Sequence, residues 1–181
     1  MNQINIKGLK ALIPVYQIFQ HNKDEISLVV SHQNLISALK ILKLHINYQY
    51  NLLSCVSGVD LLGSKYRFCV VYDLLSIVNN SRIRVKVYVN EVTSLNSAVS
   101  VYHNANWWER EVWDMYGIYF QNHPDLRRIL TDYGFEGYPL RKDFPLAGYL
   151  EVRYHSVKKV IVHEPVQMAQ EFRSFIHEGQ W

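Results

Sequence analysis

Residues 82–90 read RIRVKVYVN, and the alternation has no break. Successive side chains of an extended chain point to opposite faces. Ile83, Val85, Val87 and Val89 therefore share one face, and Arg82, Arg84, Lys86 and Tyr88 share the other. The first face is core and the second is basic and wet, the pattern of an antiparallel sheet covered on one side only. The basic stripe is read as a solvated sheet face, with a partner-binding face as the alternative.

Working back from this strand, SIVNNS makes a loose turn, and YRFCVVYDLL (66–75) and residues 52–62 read as two further strands. Gly63-Ser64 between them offers a tight turn. That turn sets Cys55 opposite Tyr72, away from Cys69, so no cross-strand disulfide is expected. ISLVV (26–30) reads as a short buried strand. SHQNLISALKILKLHI follows it, with Leu35, Leu39, Leu42 and Ile46 at helical spacing and Ser31 or Asn34 as its cap. The order β-α-β-β-β with hairpin connections predicts an α+β fold: a single domain with a mostly antiparallel sheet and packed helices, followed by an extended irregular C-terminal arm. The core domain is expected over 1–130, with residues 1–25 helical or loose, and the arm over 131–181.

The chain has 181 residues, 49% of them apolar and 19% charged. This suits a folded domain with a real core and excludes a disordered one. The formal charge of +3, from 19 basic and 16 acidic residues, is too weak an excess to argue for nucleic acid or a polybasic membrane anchor. The longest uncharged run, LHINYQYNLLSCVSGV, is interrupted by His, Asn, Gln and Ser, so no membrane span is expected. The N-terminus lacks the features of a signal peptide or an Arg-rich presequence.

Beyond Asn90, SLNSAVSVYH suggests a short helix. Asn106 with Glu109 resembles a capping box, opening a helix from Trp107 to Tyr116 that Gly117 ends. On it Trp108, Val112, Met115 and Tyr116 share a face, and Arg110 and Asp114 stand at i,i+4. Breakers then crowd HPDLRRILTDYGFEGYPLRKDFP, and two short strands are expected after Tyr149.

Chemistry is sparse. Glu109, Glu111, Asp114, His123 and Asp125 are acid–base candidates, but no nucleophile motif, zinc motif, P-loop or dinucleotide fingerprint accompanies them. The GFEG at 134–137 lacks the strand–helix context of a phosphate site. No two of the eight histidines stand at i,i+3 or i,i+4, and two cysteines cannot hold an iron–sulfur cluster. No catalytic, cofactor or metal site is expected. Within 107–130 acids outnumber bases, the wrong balance for a phosphate groove. Residues 107–144 hold 10 of the 24 Trp, Tyr and Phe residues. Aromatics with Arg are the residue types of buried interface cores. A protein-interaction module fits, with a small acid–base enzyme using Glu109, His123 and Asp125 as the alternative.

EREVWDMYGIYFQNHPDLRRIL followed by TDYGFEGYPLRKDFPL closely resembles the signature of NuoC-type (30 kDa-type) peripheral-arm subunits of respiratory complex I, the NADH:ubiquinone oxidoreductase. The resemblance continues through EVRYHSVKKVIVHEPVQMAQEFRSF, and only the final FIHEGQW departs from the usual ending. It implies a structural subunit of the hydrophilic arm near the quinone-reducing module, with no catalytic site or cofactor of its own. It implies packing against the large subunit of the quinone cavity and near the small subunit carrying the terminal iron–sulfur cluster. No nucleic acid and no homo-oligomer are expected. The signature and interface residues are Glu109, Arg110, Glu111, Asp114, His123, Arg127, Arg128, Gly134, Gly137, Arg141 and Asp143. The resemblance to the mitochondrial branch implies the matrix side of the inner membrane, with the cytoplasmic face of a bacterial membrane as the alternative.

Overall fold

The computed structural model describes residues 6–20 and 25–173. The departing FIHEGQW ending lies outside the described residues. Helix α1 (Ile6–Leu12) leads into β1 (Val15–Gln20), β2 (Glu25–Val30), α2 (Leu35–Leu44), β3 (Leu52–Asp60), β4 (Phe68–Ser76) and β5 (Ser81–Val89). The five strands form one sheet in the order β1-β2-β5-β4-β3. All pairings are antiparallel except β2 with β5, which run parallel with Leu28 opposite Val85. The α+β architecture is thus the one the alternation predicts. β1 is an addition, formed from residues read as helical or loose.

The β5 strand behaves as its pattern dictates. Ile83, Val85, Val87 and Val89 are buried, Arg82 and Arg84 are exposed, and Arg84 bonds Asp73 on β4 at 2.7 Å. The apolar faces of β2, β4 and β5 share a core with Leu35, Ala38, Leu39 and Leu42 of α2. Helix α2 ends before Ile46, which is 77% exposed. His45 adopts extended backbone, and the Tyr50 N–H bonds the Leu42 carbonyl at 2.9 Å, so the chain turns back one turn earlier than the spacing suggests. On β3 an irregularity between Leu53 and Cys55 shifts the register by one. The pairing runs unbroken from Asp60 opposite Phe68 to Cys55 opposite Asp73, because the connection closes with the Leu61 N–H on the Arg67 carbonyl and is not centred on Gly63-Ser64; Val56 faces Tyr72, and both cysteines are free thiols.

After β5 come β6 (Leu95–Asn96), a single 3₁₀ turn (Ala98–Ser100) in place of the expected helix, α3 (Ala105–Tyr116) and β7 (Phe120–Gln121), which pairs parallel with β6. Helix α3 lies on β3, where Gly58 makes room for it. A Cβ at Gly58 would come within 2.5 Å of the Tyr116 ring.

The chain divides into two compact units, Met1–Lys142 and Asp143–Trp181. Residues 131–142 thus belong to the first unit, past the expected boundary at 130. The second unit contains the hairpin β8 (Leu150–His155) and β9 (Val160–Pro165), paired antiparallel and tied by Arg153 to Glu164 at 2.5 and 2.9 Å. None of its described residues is buried.

Candidate functional site

All the signature residues but Asp143 gather on α3 and on the segment that wraps it, residues 117–142. Glu109 is fully buried on α3. It does not close a capping box: the helix begins at Ala105, and its cap position, Asn104, donates its side chain to the Leu53 carbonyl. Glu109 accepts the Ser97 hydroxyl at 2.6 Å and the Ala98 N–H at 2.7 Å, so it ties the 3₁₀ turn to the helix. Burial pushes its carboxyl up to about 7, against the lowering effect of those two bonds. His123 Nε2 lies 3.8 Å from Glu109 and 3.1 Å from the Asn106 carbonyl, and its Nδ1 accepts the Asp125 N–H at 3.1 Å. The Tyr72 hydroxyl, buried in the same core, has no hydrogen-bond partner among the described residues, and its charged form is disfavoured first by burial and then by Glu109.

Asp114, five residues further along α3, is also fully buried. It does not pair with Arg110. Its Oδ2 accepts the N–H groups of Ile129, Leu130 and Thr131 at 3.2, 2.7 and 3.0 Å, and its Oδ1 accepts the Thr131 hydroxyl at 2.7 Å. Burial alone would raise its pKa, but these four bonds outweigh burial and hold it below the usual carboxylate range. Arg110 instead donates to the Arg127 carbonyl at 3.2 Å, with its guanidinium over the Trp107 ring. Glu111 is half-buried on the helix, and Arg127 is exposed and bonded to Asp125 at 2.8 Å.

The rest of the segment is pinned by two arginines. Arg128 donates to Thr131 and to the Gly137 carbonyl, 3.6 Å from Asp114, and lies over the Phe135 and Tyr138 rings. Gly134 (φ +74°) and Gly137 (φ +98°) turn the loop between these anchors. Arg141 donates to the Tyr116 carbonyl at 2.7 Å and lies over Tyr138 and Phe68. Gly117, at φ +77°, ends α3 where a side chain would meet Tyr138 and Arg141. Asp143 begins the second unit and is exposed.

Sequence reasoning missed Asp60. This buried carboxylate takes two bonds from Arg67, at 3.0 and 3.2 Å, and the Lys142 N–H at 2.8 Å. The Arg67 bonds, more than the Lys142 one, hold it below the usual range. Arg67 also pairs with Glu91. Nothing in the sequence marks a partner 82 residues away.

The arrangement is a brace. Of the three groups of the acid–base alternative, Glu109 and His123 have side chains with no exposed surface, while Asp125 is exposed and bonded to Arg127, so the three do not share an open site. Among the described residues no three His, Cys, Asp or Glu side chains are grouped to hold a metal ion. The profile of the family described as respiratory-chain NADH dehydrogenase, 30 Kd subunit, matches residues 28–150, which include α3 and the whole wrapped segment.

The chain belongs to this family. It is 55% identical over 161 residues to NADH-ubiquinone oxidoreductase subunit 9 of Reclinomonas americana, covering 89% of this chain and 79% of that protein. It is 56% and 57% identical over 147 residues to NADH dehydrogenase (ubiquinone) iron–sulfur protein 3 of Solanum tuberosum and of Arabidopsis thaliana, covering 81% of this chain and 77% of each. The iron–sulfur title belongs to those relatives. In this member of the 30 kDa family only Cys55 and Cys69 are present, on neighbouring strands, while a cluster usually takes four ligands.

Proposed function

We propose that the chain is a non-catalytic subunit of the hydrophilic arm of NADH:ubiquinone oxidoreductase, respiratory complex I. It packs against the large subunit of the quinone cavity and near the small subunit that carries the terminal iron–sulfur cluster, on the matrix side of the mitochondrial inner membrane. The observation that carries this reading is the use of the signature charges. Glu109, Asp114, Arg128 and Arg141 are all consumed in shaping one segment around α3. They fix a surface. Residues 143–173 form a hairpin unit without a buried side chain, which suits an arm that gains its packing from neighbours. Among the described residues no helix is long and apolar enough to cross a membrane.

The test is affinity purification of the tagged chain from its native source. Flavin, several iron–sulfur clusters and NADH:quinone activity are expected to co-purify, while the isolated chain is inactive. An active isolated chain, or a tagged chain that brings down none of these, defeats the proposal.

A further inference from the structure

The loop at residues 129–137 is held more firmly than its size requires. It has no apolar core of its own, yet a fully buried carboxylate, Asp114, directs all its bonds at the loop's first three residues. Burying an ionised carboxylate is costly unless it is fully bonded. Arg128 then ties the loop's far end, at Gly137, to its start. Between the anchors a tight turn forms: the Phe135 N–H bonds the Asp132 carbonyl and the Tyr133 N–H bonds the Asp132 carboxylate. What this framework presents is Tyr133, which is wholly exposed at 103%. A single exposed aromatic needs no explanation in itself. One held out by a preformed turn does, because a pre-ordered loop loses little entropy on binding and Tyr is a frequent anchor of protein interfaces. Charge indicates the kind of pocket. Asp132 and Glu136 flank Tyr133, and residues 131–137 contain no basic residue, although the chain as a whole is +3. Both acids are exposed.

We propose that residues 129–137 form a preformed docking knob, with Tyr133 entering an apolar, basic-rimmed pocket on a neighbouring subunit of the complex. This rests on the reading of the chain as a complex I subunit. The neighbouring aromatics are not part of the knob: Tyr138 is packed between Trp113 and Arg141, and Phe135 is half-buried under Arg128.

The test compares the full chain with Tyr133→Ala, Tyr133→Phe and Glu136→Lys, each expressed in the native source and also purified. The readouts are the fraction migrating with NADH-oxidising complex on native gels and the thermal midpoint of the purified chain. Tyr133→Ala is expected to lower the assembled fraction about tenfold or more, with the thermal midpoint within about 2 °C of wild type. Tyr133→Phe retains most assembly, and Glu136→Lys reduces it by reversing the complementarity. Normal assembly of Tyr133→Ala beside an assembling wild type overturns the knob and leaves the proposed function standing. Failure of the wild-type chain to assemble counts against the proposed function itself. A large fall in the thermal midpoint of Tyr133→Ala makes the tyrosine structural and overturns the knob. A dimer of the purified wild type that Tyr133→Ala abolishes makes the occupant a second copy and overturns the assignment to a neighbouring subunit.

Discussion

The Asp114 carboxylate accepts the Leu130 N–H at 2.7 Å, from a residue sixteen positions further along the chain, and the N–H groups on either side of it converge on the same oxygen. A backbone nest of this kind is complementary to a full negative charge. Asp114→Asn leaves the shape intact but sets an amide, with its own donors, against three donors. It is expected to destabilise the chain by about 2–3 kcal/mol, the scale of charged hydrogen bonds lost in a buried site. Urea denaturation gives the loss, and hydrogen exchange should show it concentrated at residues 129–131. Because the folded pKa is depressed, the contribution is present above the ordinary carboxylate pKa of 3.8 and is lost as pH falls through the folded value.

Glu109 has the opposite sign. Its carboxyl rises from 4.5 to about 7 on folding, so between those values the folded chain binds more protons than the unfolded one. Stability therefore falls as pH rises through that window, by about 3 kcal/mol in all, since one pKa unit is roughly 1.4 kcal/mol. Glu109→Gln keeps an acceptor for the Ala98 N–H and offers a donor to Ser97, so its stability should be flat over the same range and exceed wild type at pH 8. Thermal melts from pH 4.5 to 8 decide the matter; a wild type and variant with parallel pH curves would falsify the assignment.

At Gly58 the ring of Tyr116 occupies the space of the missing side chain. Gly58→Ala pushes backbone against ring and is expected to cost about 1–3 kcal/mol, as overpacking usually does. The double variant Gly58→Ala/Tyr116→Ala should recover part of that cost. A double-mutant cycle in guanidinium measures it, and strict additivity of the two losses would mean the contact is slack.

Val85 and Lys86 are neighbours on β5 with opposite fates. Val85 is fully buried and Lys86 sits half-buried on the outer face. Val85→Asp places an unpaired charge in the core and should abolish cooperative folding. Lys86→Glu should fold with a thermal midpoint close to wild type. Circular dichroism melts separate the two, and similar melts for both would contradict the register of Leu28 opposite Val85.

The sheet was legible where one face is wet, because alternation reports burial directly, as on β5. It was less legible at the connection of β3 to β4: the Leu61 N–H bonds the Arg67 carbonyl, so the turn is not centred on Gly63-Ser64 and Cys55 faces Asp73 instead of Tyr72, and no side-chain pattern announces such an offset. β1 was missed because its side chains are exposed or half-buried and carry no clean period. At the site the sequence marked charged residues without their partners. Arg110 and Asp114 looked like a local pair because i,i+4 proximity is visible in sequence. The true partners, Arg127 and the 129–131 backbone, lie across a loop. Arg141 was placed in the C-terminal arm for the same reason: a bond to the Tyr116 carbonyl leaves no trace in composition.

The parallel pairing of β2 with β5 has a consequence for synthesis. The chain leaves the ribosome N-terminus first, so β1 and β2 emerge well before β5. Until β5 appears, each has only the other as a strand partner, and a two-stranded ribbon is marginal in water. The meander β3-β4-β5 closes by local turns and forms without them. The nascent N-terminal segment, with Leu28 and Val30 uncovered, must wait for a template made later, which makes that interval the one in which a chaperone has apolar strand to hold.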